Sequence, residues 1–200
     1  VWEPLLKGKR YEHIILKMSH PVARGPIFNK LIEKYSDRLT IITSASELRK
    51  GKVKISNGVS WEETVSDLVI KLEKNHELKV LKKCQTLIVT LSTEGAYYLT
   101  TDKGQKKSRL VFDNSLLEGE FITEQNTGEV IGYQNTFCAG YMAGLILKAS
   151  GMSNIEMMIS SSLSATRQLA KTGHIETGDL PDFPYEMVIE EFFNPSYKFA

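Results

Sequence analysis

The order of the apolar segments is the sequence feature that most constrains the fold of this chain. Short apolar runs at 13–18, 39–43 and 86–91 have the length and composition of buried strands. Between them lie segments with apolar residues at helical spacing, at 27–35 and from Trp61 to about residue 73. Strands that alternate with helices in this way predict an α/β fold with a mainly parallel sheet.

The second half of the chain adds a hairpin and two helices to this pattern. Residues 96–101 lead to a turn at 102–104, and 109–112 can return as the partner strand. The segment 116–131 resembles loop with one strand, and 136–148 and 155–170 carry the longest helical patterns. We therefore expect a three-layer α/β sandwich. Within the first of these helices, the spacing Gly140-x-x-x-Gly144 predicts close packing against a sheet or another helix.

The charge and the cysteine content exclude several classes of function. Twenty-five basic and twenty-four acidic residues give a net charge of +1, and no basic stripe suggests a nucleic-acid partner. No apolar run reaches transmembrane length, and no signal-peptide pattern occurs in the sequence, so no membrane partner is expected. Cys84 and Cys138 lie far apart and outside any CxxC motif, which favours buried reduced thiols and a cytoplasmic protein.

The two ends of the sequence suggest a piece of a larger protein. The chain begins at Val1 without a methionine, and its last residues resemble a linker. Two hundred residues suit one medium domain. We expect residues 1–200 to form a single domain of a longer, multidomain protein, with the other domains of that protein as its neighbours.

The carboxyl ends of the parallel strands are where such a fold binds ligands. Glu47 follows one strand end, and Asn135 opens the helix that should join this edge. The sequence lacks GxxxxGK[ST], GxSxG, HExxH and GxGxxG motifs. The residues by themselves thus predict an α/β domain with an anion site at the helix that starts near Asn135.

Three segments, in order, resemble the ribokinase-like (PfkB) carbohydrate kinases. The run Leu-Ile-Val-Thr-Leu-Ser-Thr-Glu-Gly-Ala at 87–96 is similar to that family's strand and turn, VxVTLGxxGA. Gly-Tyr-Gln-Asn-Thr-Phe-Cys-Ala-Gly at 132–140 stands where the family has GAGDxFxAG. Ser-Ala-Ser-Glu at 44–47 resembles its NxxE segment. Order and spacing agree over roughly residues 13 to 170.

The resemblance implies a ribokinase-like fold, ATP or ADP with Mg²⁺ as possible cofactors, and a set of site residues. The family uses a glycine-rich helix start as an anion hole, an Asp as the base, a Glu that organises Mg²⁺ through water, and a nucleotide pocket beside the strand–turn–strand. Carried over position by position, these roles fall on Gly132, Tyr133 and Gln134 for the anion hole, Asn135 for the base, Glu47 for the metal, and Thr90, Ser92 and Gly95 for the nucleotide.

The differences from the family pattern fall on the chemistry. Asn135 is a neutral amide that cannot accept a proton as a general base, and losing such a base costs about 10²–10⁴-fold in rate. Gln134 replaces a glycine, Ser44 replaces the Asn of NxxE, and Ser92 replaces another glycine. The family's N-terminal portion, with most of the sugar site and a lid, is missing from this sequence, so the ribokinase-like fold is expected to be partial.

Three functions follow as hypotheses. The first is a degenerate kinase module that binds a nucleotide or another phosphorylated small molecule, with impaired phosphoryl transfer and a regulatory or sensing role. The second is an active sugar or nucleoside kinase whose base is displaced to Asp113, Glu118 or Glu120. The third is a structural interaction domain that binds no nucleotide.

Overall fold

The structure, a computed structural model, describes residues 13–18, 26–50, 53–55, 61–91, 95–113, 132–149, 154–172 and 187–191. Strands and helices alternate in its first half, and a hairpin, two long helices and a last strand follow. The elements are β1 (Ile14–Lys17), α1 (Pro26–Lys34), β2 (Leu39–Ser44), α2 (Ala45–Lys50), α3 (Trp61–Lys74), α4 (His76–Lys79) with a 3₁₀ turn (Val80–Lys83), β3 (Thr86–Thr90), β4 (Gly95–Asp102), β5 (Gln105–Asp113), α5 (Tyr133–Ala149), α6 (Ile155–Thr172) and β6 (Met187–Glu191).

Six strands form one sheet in the order in which they occur along the chain. β1 pairs with β2, and β2 with β3, in parallel, whereas β3, β4, β5 and β6 pair successively in antiparallel fashion. The α/β class is confirmed. The sheet is mixed, however, and the expectation of a mainly parallel sheet is wrong for this part of the chain, because the hairpin and β6 contribute three antiparallel pairings.

The tight turn between β4 and β5 explains one of the three antiparallel pairings. Lys103 and Gly104 both have positive φ, at 48° and 80°, which is the conformation of a two-residue type I′ hairpin turn. Such a turn returns the chain at once beside the strand it has just left, so β4 and β5 pair over eight residues on each strand. The predicted turn at 102–104 and its hairpin are therefore confirmed.

Helices cover both faces of the sheet and give the molecule three layers. On one face, α1, α3 and the α4 region pack on residues such as Ile41 and Leu87. On the other face, α5 and α6 pack on Ile42, Ile88 and Tyr98. The strands β2 and β3, buried along their whole length, lie between the two clusters. The buried middle strands read as continuous apolar runs for this reason.

Close contact between α5 and α6 depends on two glycines. A Cβ atom at Gly140 would lie 2.9 Å from Ser162 Oγ, and one at Gly144 would lie 2.5 Å from Met158 Cγ. The close packing predicted from the Gly140-x-x-x-Gly144 spacing is thus present, and its partner is a helix.

The helices and strands predicted from the sequence, including short helices around 47–50 and 78–83, agree with the structure apart from their exact ends. β6 was not predicted, because it has only five residues and pairs with a strand that is distant in the sequence. The loop with one strand expected at 116–131 lies outside the described residues. In the described part of the chain, no helix is long and apolar enough to cross a membrane.

Candidate functional site

The candidate site lies at the carboxyl ends of the three parallel strands. Lys17, Ser44 and Thr90 are the last residues of β1, β2 and β3. Ser44 and Thr90 are register partners and share a sheet face with Ile42 and Ile88, which α5 and α6 cover. Two polar side chains thus end the apolar strands on the side where α5 begins.

The start of α5 is the second part of the site. Gly132 has a φ of 96°, in the region that favours glycine, and its carbonyl accepts the first bond of the helix from the Thr136 N–H at 2.9 Å. The backbone N–H groups that precede Thr136 have no acceptor inside the helix. Together with the helix dipole, they give this helix start a positive electrostatic character. The turn-to-helix geometry predicted at 132–135 is observed.

Gln134 connects this helix start to the end of β2. Its Nε2 donates a hydrogen bond to Ser44 Oγ at 2.7 Å. The same oxygen accepts the backbone N–H of Glu47 at 3.0 Å, which makes Ser44 the cap of α2. Ser44 is fully buried. Ser44 therefore has a structural task at the end of β2, and it holds the side chain of Gln134 against that strand end.

Asn135 is held by a residue that sequence reasoning missed. The Lys17 ammonium donates to Asn135 Oδ1 at 2.7 Å, across 118 positions of sequence. Within the described part of the chain, this ammonium group pairs with a neutral amide and with no carboxylate. Lys17 could have been found from the sequence because it is a lysine at the end of an otherwise apolar strand. In folds of this class, ligands bind at the carboxyl ends of the strands.

Lys17 also acts on Cys138, one helical turn after Asn135. Burial raises the pKa of the Cys138 thiol to about 11, and the nearby Lys17 charge partly opposes that rise. The thiol stays protonated at neutral pH and is a poor nucleophile in that form. Cys138 therefore belongs to the packing beneath the site rather than to its chemistry.

Glu47 lies beside the site, in the first turn of α2. Its carboxylate is 3.6 Å from the Lys50 ammonium, and its side chain is 16% exposed. Among the described residues, no group of three His, Cys, Asp or Glu side chains could hold a metal ion directly. Mg²⁺ at phosphate sites also binds through phosphate oxygens and water. The role of Glu47 in organising Mg²⁺ through water therefore stays a prediction.

Thr90 ends β3, and Gly95 begins β4. Thr90 Oγ1 donates to the Thr43 carbonyl at 3.3 Å, and the Leu91 N–H donates to the Gly95 carbonyl at 2.8 Å. Both residues are at the same sheet edge as Ser44, because β3 runs parallel to β2 and β4 pairs with β3 in antiparallel fashion. Ser92, the remaining residue predicted to contact a nucleotide, lies outside the described residues.

Of the three proposed displaced bases, the structure describes Asp113 alone. Asp113 ends β5, which runs in the same direction as β3, so its backbone reaches the same sheet edge. Three strand spacings separate β5 from β2, which is about 14 Å. Glu118 and Glu120 lie outside the described residues.

Compared with protein-family models, curated proteins and solved structures, the chain shows no significant match. The fold and the site define an α/β sandwich. It has a polar, positively charged edge at the carboxyl ends of its parallel strands. The resemblance to ribokinase-like proteins rests on the sequence motifs alone.

Proposed function

We propose that this chain is the nucleotide-binding part of a degenerate ribokinase-like carbohydrate kinase. It binds a nucleotide or another phosphorylated small molecule at the carboxyl edge of β1–β3, and it transfers phosphoryl groups poorly. A regulatory or sensing role in a longer cytoplasmic protein follows from a site that binds but does not turn over. No nucleic acid or membrane takes part in this function.

The observation that carries the proposal is the contact between Lys17 and Asn135 at the start of α5. The contact puts a positive charge next to a helix N-terminus whose first N–H groups favour anions. The Asn135 oxygen faces the ammonium group, so the side chain is left with its N–H donors. A ligand at this edge meets hydrogen-bond donors and a cation, which suits phosphate oxygens.

The same contact supports impaired catalysis. Abstraction of a proton from a sugar hydroxyl needs a group that can accept it, and an amide oxygen bound to an ammonium group is a very weak base. Lys17 would supply positive charge beside a bound phosphate, as Mg²⁺ does at many phosphate sites. We therefore expect ligand binding to require little or no Mg²⁺.

Calorimetry with ADP and with pyrophosphate, each with Mg²⁺ and with EDTA, tests the binding part of the proposal. Binding at micromolar to millimolar concentration in both conditions is expected. The absence of both heat and thermal shift at millimolar ligand would refute it and would favour a structural domain.

Phosphoryl transfer from ATP to a panel of sugars and nucleosides tests the catalytic part. We expect no turnover above background for the unaltered protein in its full-length form. Activity that appears in Asn135→Asp would support the loss of the base. Unaltered protein that turns over at about 1–100 per second, as ordinary kinases do, would show that the second hypothesis is correct.

A further inference from the structure

The outer side of β1 is unpaired in the part of the chain that the structure describes. β1 stands at the end of the strand order, and β2 is its neighbour there. The N–H groups of Ile14 and Met18 donate to carbonyls at β2, at 3.0 and 2.8 Å. Since backbone groups alternate in direction along a strand, those of His13, Ile15 and Lys17 point away from β2. They form a row of donors and acceptors with which another strand can pair.

An apolar stripe of α5 lies beside this outer side. Met142 and Ile146 are 47% and 75% exposed. They follow Asn135 by seven and eleven residues, close to two and three helical turns, so all three lie on one side of the helix. Asn135 contacts Lys17 of β1, whereas the glycines of α5 that pack on α6 lie on the opposite side of α5. The stripe therefore follows the β1 border of the sheet.

We propose that the outer side of β1 and the stripe on α5 join two copies of this chain, through antiparallel pairing of the two β1 strands. A two-fold axis passes beside Ile15, perpendicular to the sheet. Ile15 exchanges two backbone hydrogen bonds with its copy, and Lys17 pairs with His13 of the partner subunit. The two α5 helices lie on the same face of the joined sheet, with their stripes toward each other. This dimer needs no ligand and is independent of the proposed function.

The distribution of charge favours a second copy as the occupant. A two-fold contact brings a surface against itself, so a charged surface would repel its copy. α5 has no charged residue from Tyr133 to Leu147, and Lys17 is the one charged residue of β1. In the proposed register the two Lys17 residues are about 13 Å apart along the strands, where salt screens most of their repulsion. β1 also lacks the proline or central charge with which edge strands avoid pairing.

Sedimentation of the unaltered chain over a range of micromolar concentrations tests the dimer. The mass should rise from monomer to dimer as the concentration increases. Ile146→Glu places like charges across the axis and should raise the dissociation constant at least about tenfold. The matched control is Ile70→Glu, because Ile70 is 39% exposed on α3, which packs on the other face of the sheet. This control should dimerise like the unaltered chain.

A change in the backbone of β1 tests the strand pairing itself. Ile15→Pro removes an outward N–H and no hydrogen bond to β2, and edge strands tolerate such a proline. The variant should be a monomer, with the circular dichroism of the unaltered chain. Ile15→Val keeps the N–H and should still dimerise. If Ile15→Pro does not fold, Ile146→Glu and hydrogen exchange decide the question.

Hydrogen exchange locates the contact. The amides of Ile15 and Lys17 should exchange more slowly as the dimer forms, whereas the amide of Ile14, bonded toward β2, should be protected at all concentrations. A monomer at every concentration would overturn the proposal, and so would a dimer that Ile146→Glu leaves intact. An Ile15 amide already protected in the monomer would also overturn it, because another segment of the same chain would then pair with β1.

Discussion

The ammonium nitrogen of Lys17 lies 2.7 Å from the amide oxygen of Asn135, and this bond joins the end of β1 to the first turn of α5. Lys17 is cationic and Asn135 is neutral, whereas the resemblance to kinases implies an anionic base at position 135. The edge of the sheet is therefore rich in hydrogen-bond donors. A site of this kind can hold a phosphate group, and it has little capacity to remove a proton.

Lys17→Met should weaken the binding of pyrophosphate about tenfold. A hydrogen bond to a charged group contributes about 1.5–3 kcal/mol, and solvent exposure and salt reduce this value. The affinity of the unaltered protein should fall as salt rises, and the variant should depend less on salt. Titration calorimetry at two salt concentrations measures both effects.

Lys79→Met is the matched control for this change, because Lys79 is exposed on α4 and its loss changes the net charge equally. Equal weakening by both variants would show that general charge, rather than the position of Lys17, governs binding.

Gly132→Ala should destabilise the fold and weaken ligand binding together. A Cβ at Gly132 would have space, since the nearest atom is Leu169 Cδ2 at 3.9 Å. The cost comes from the φ of 96°, which L-residues rarely adopt, and is about 1–2 kcal/mol. Relief of that strain would turn the peptide at the helix start and move its N–H groups away from the ligand.

Gly104→Ala separates these two effects. Gly104 has a φ of 80° and nothing within 4 Å of an added Cβ, but it lies in the hairpin turn at the opposite edge of the sheet. Urea unfolding should show a similar loss for both variants, and calorimetry should show weaker binding for Gly132→Ala alone. Weaker binding by both variants would show that lower stability of the fold, rather than the geometry at the start of α5, reduces the affinity.

Sequence reasoning identified the elements that carry strong local signals. The apolar runs of β2 and β3 are buried on both faces, and the turn at Lys103 and Gly104 has the chemistry of a hairpin, so both were predictable. The start of α5 follows Gly132, which the sequence indicated, because glycine is used where φ is positive.

Sequence reasoning missed Lys17 and the contacts that join distant parts of the chain at the site. Lys17 and Asn135 are 118 positions apart, and Gln134 and Ser44 are 90 apart. No periodicity or local motif connects such pairs, because each depends on how α5 lies over β1 and β2. On the antiparallel side of the sheet, the hairpin of β4 and β5 was predicted, but β6 was missed because its pairing with β5 is not local.

Glu156→Ala should destabilise the protein by about 2–4 kcal/mol. The Glu156 carboxylate, in the first turn of α6, accepts the Tyr98 hydroxyl and lies 2.8 Å from Arg109 Nη1. Burial and the bond to Glu156 raise the pKa of Tyr98, which stays protonated and donates. Loss of the carboxylate leaves a buried hydroxyl and a partly buried guanidinium without this acceptor.

Asp102→Ala is the comparison, because it breaks the exposed pair between Asp102 and Lys107, which is 3.0 Å long. Exposed pairs contribute about 0–1 kcal/mol. Chemical denaturation of both variants should give a clearly larger loss for Glu156→Ala. Equal losses would mean that the buried carboxylate does not fasten α6 to the sheet.

The free energy of unfolding should fall as the pH rises above about 9, in part because of Cys84. Burial raises the pKa of this thiol to about 12 from an ordinary value of 9.0, and its sulfur lies 2.9 Å from the Leu81 carbonyl oxygen. Between these two values the unfolded chain has lost the proton and the folded chain retains it. The unfolded state then binds fewer protons, so stability decreases by about 1.4 kcal/mol per pH unit.

Urea unfolding at pH 8, 9 and 10 measures this slope, and Cys84→Ala should show a smaller decrease over the same range. Tyr97 and Tyr141 have pKa values raised to about 12 and add to the decrease above pH 10 in both proteins. Equal slopes for the two proteins would show that the Cys84 thiol ionises alike in the folded and unfolded states.

Gly144→Ala should destabilise the protein, although alanine is the better helix former. At an exposed helical position this change would stabilise by about 1 kcal/mol. At Gly144 the added Cβ would lie 2.5 Å from Cγ and 3.0 Å from Cβ of Met158, so α5 and α6 would have to separate. Forcing a methyl group into such a contact costs about 1–3 kcal/mol, which exceeds the gain in helix propensity.

Ala143→Gly, at the exposed neighbouring position, measures the propensity term by itself and should cost about 1 kcal/mol. Gly144→Ala and Ala143→Gly should therefore both lower the midpoint of urea unfolding. One variant replaces glycine with alanine, and the other replaces alanine with glycine. A Gly144→Ala variant more stable than the unaltered protein would show that the two helices do not pack at this distance.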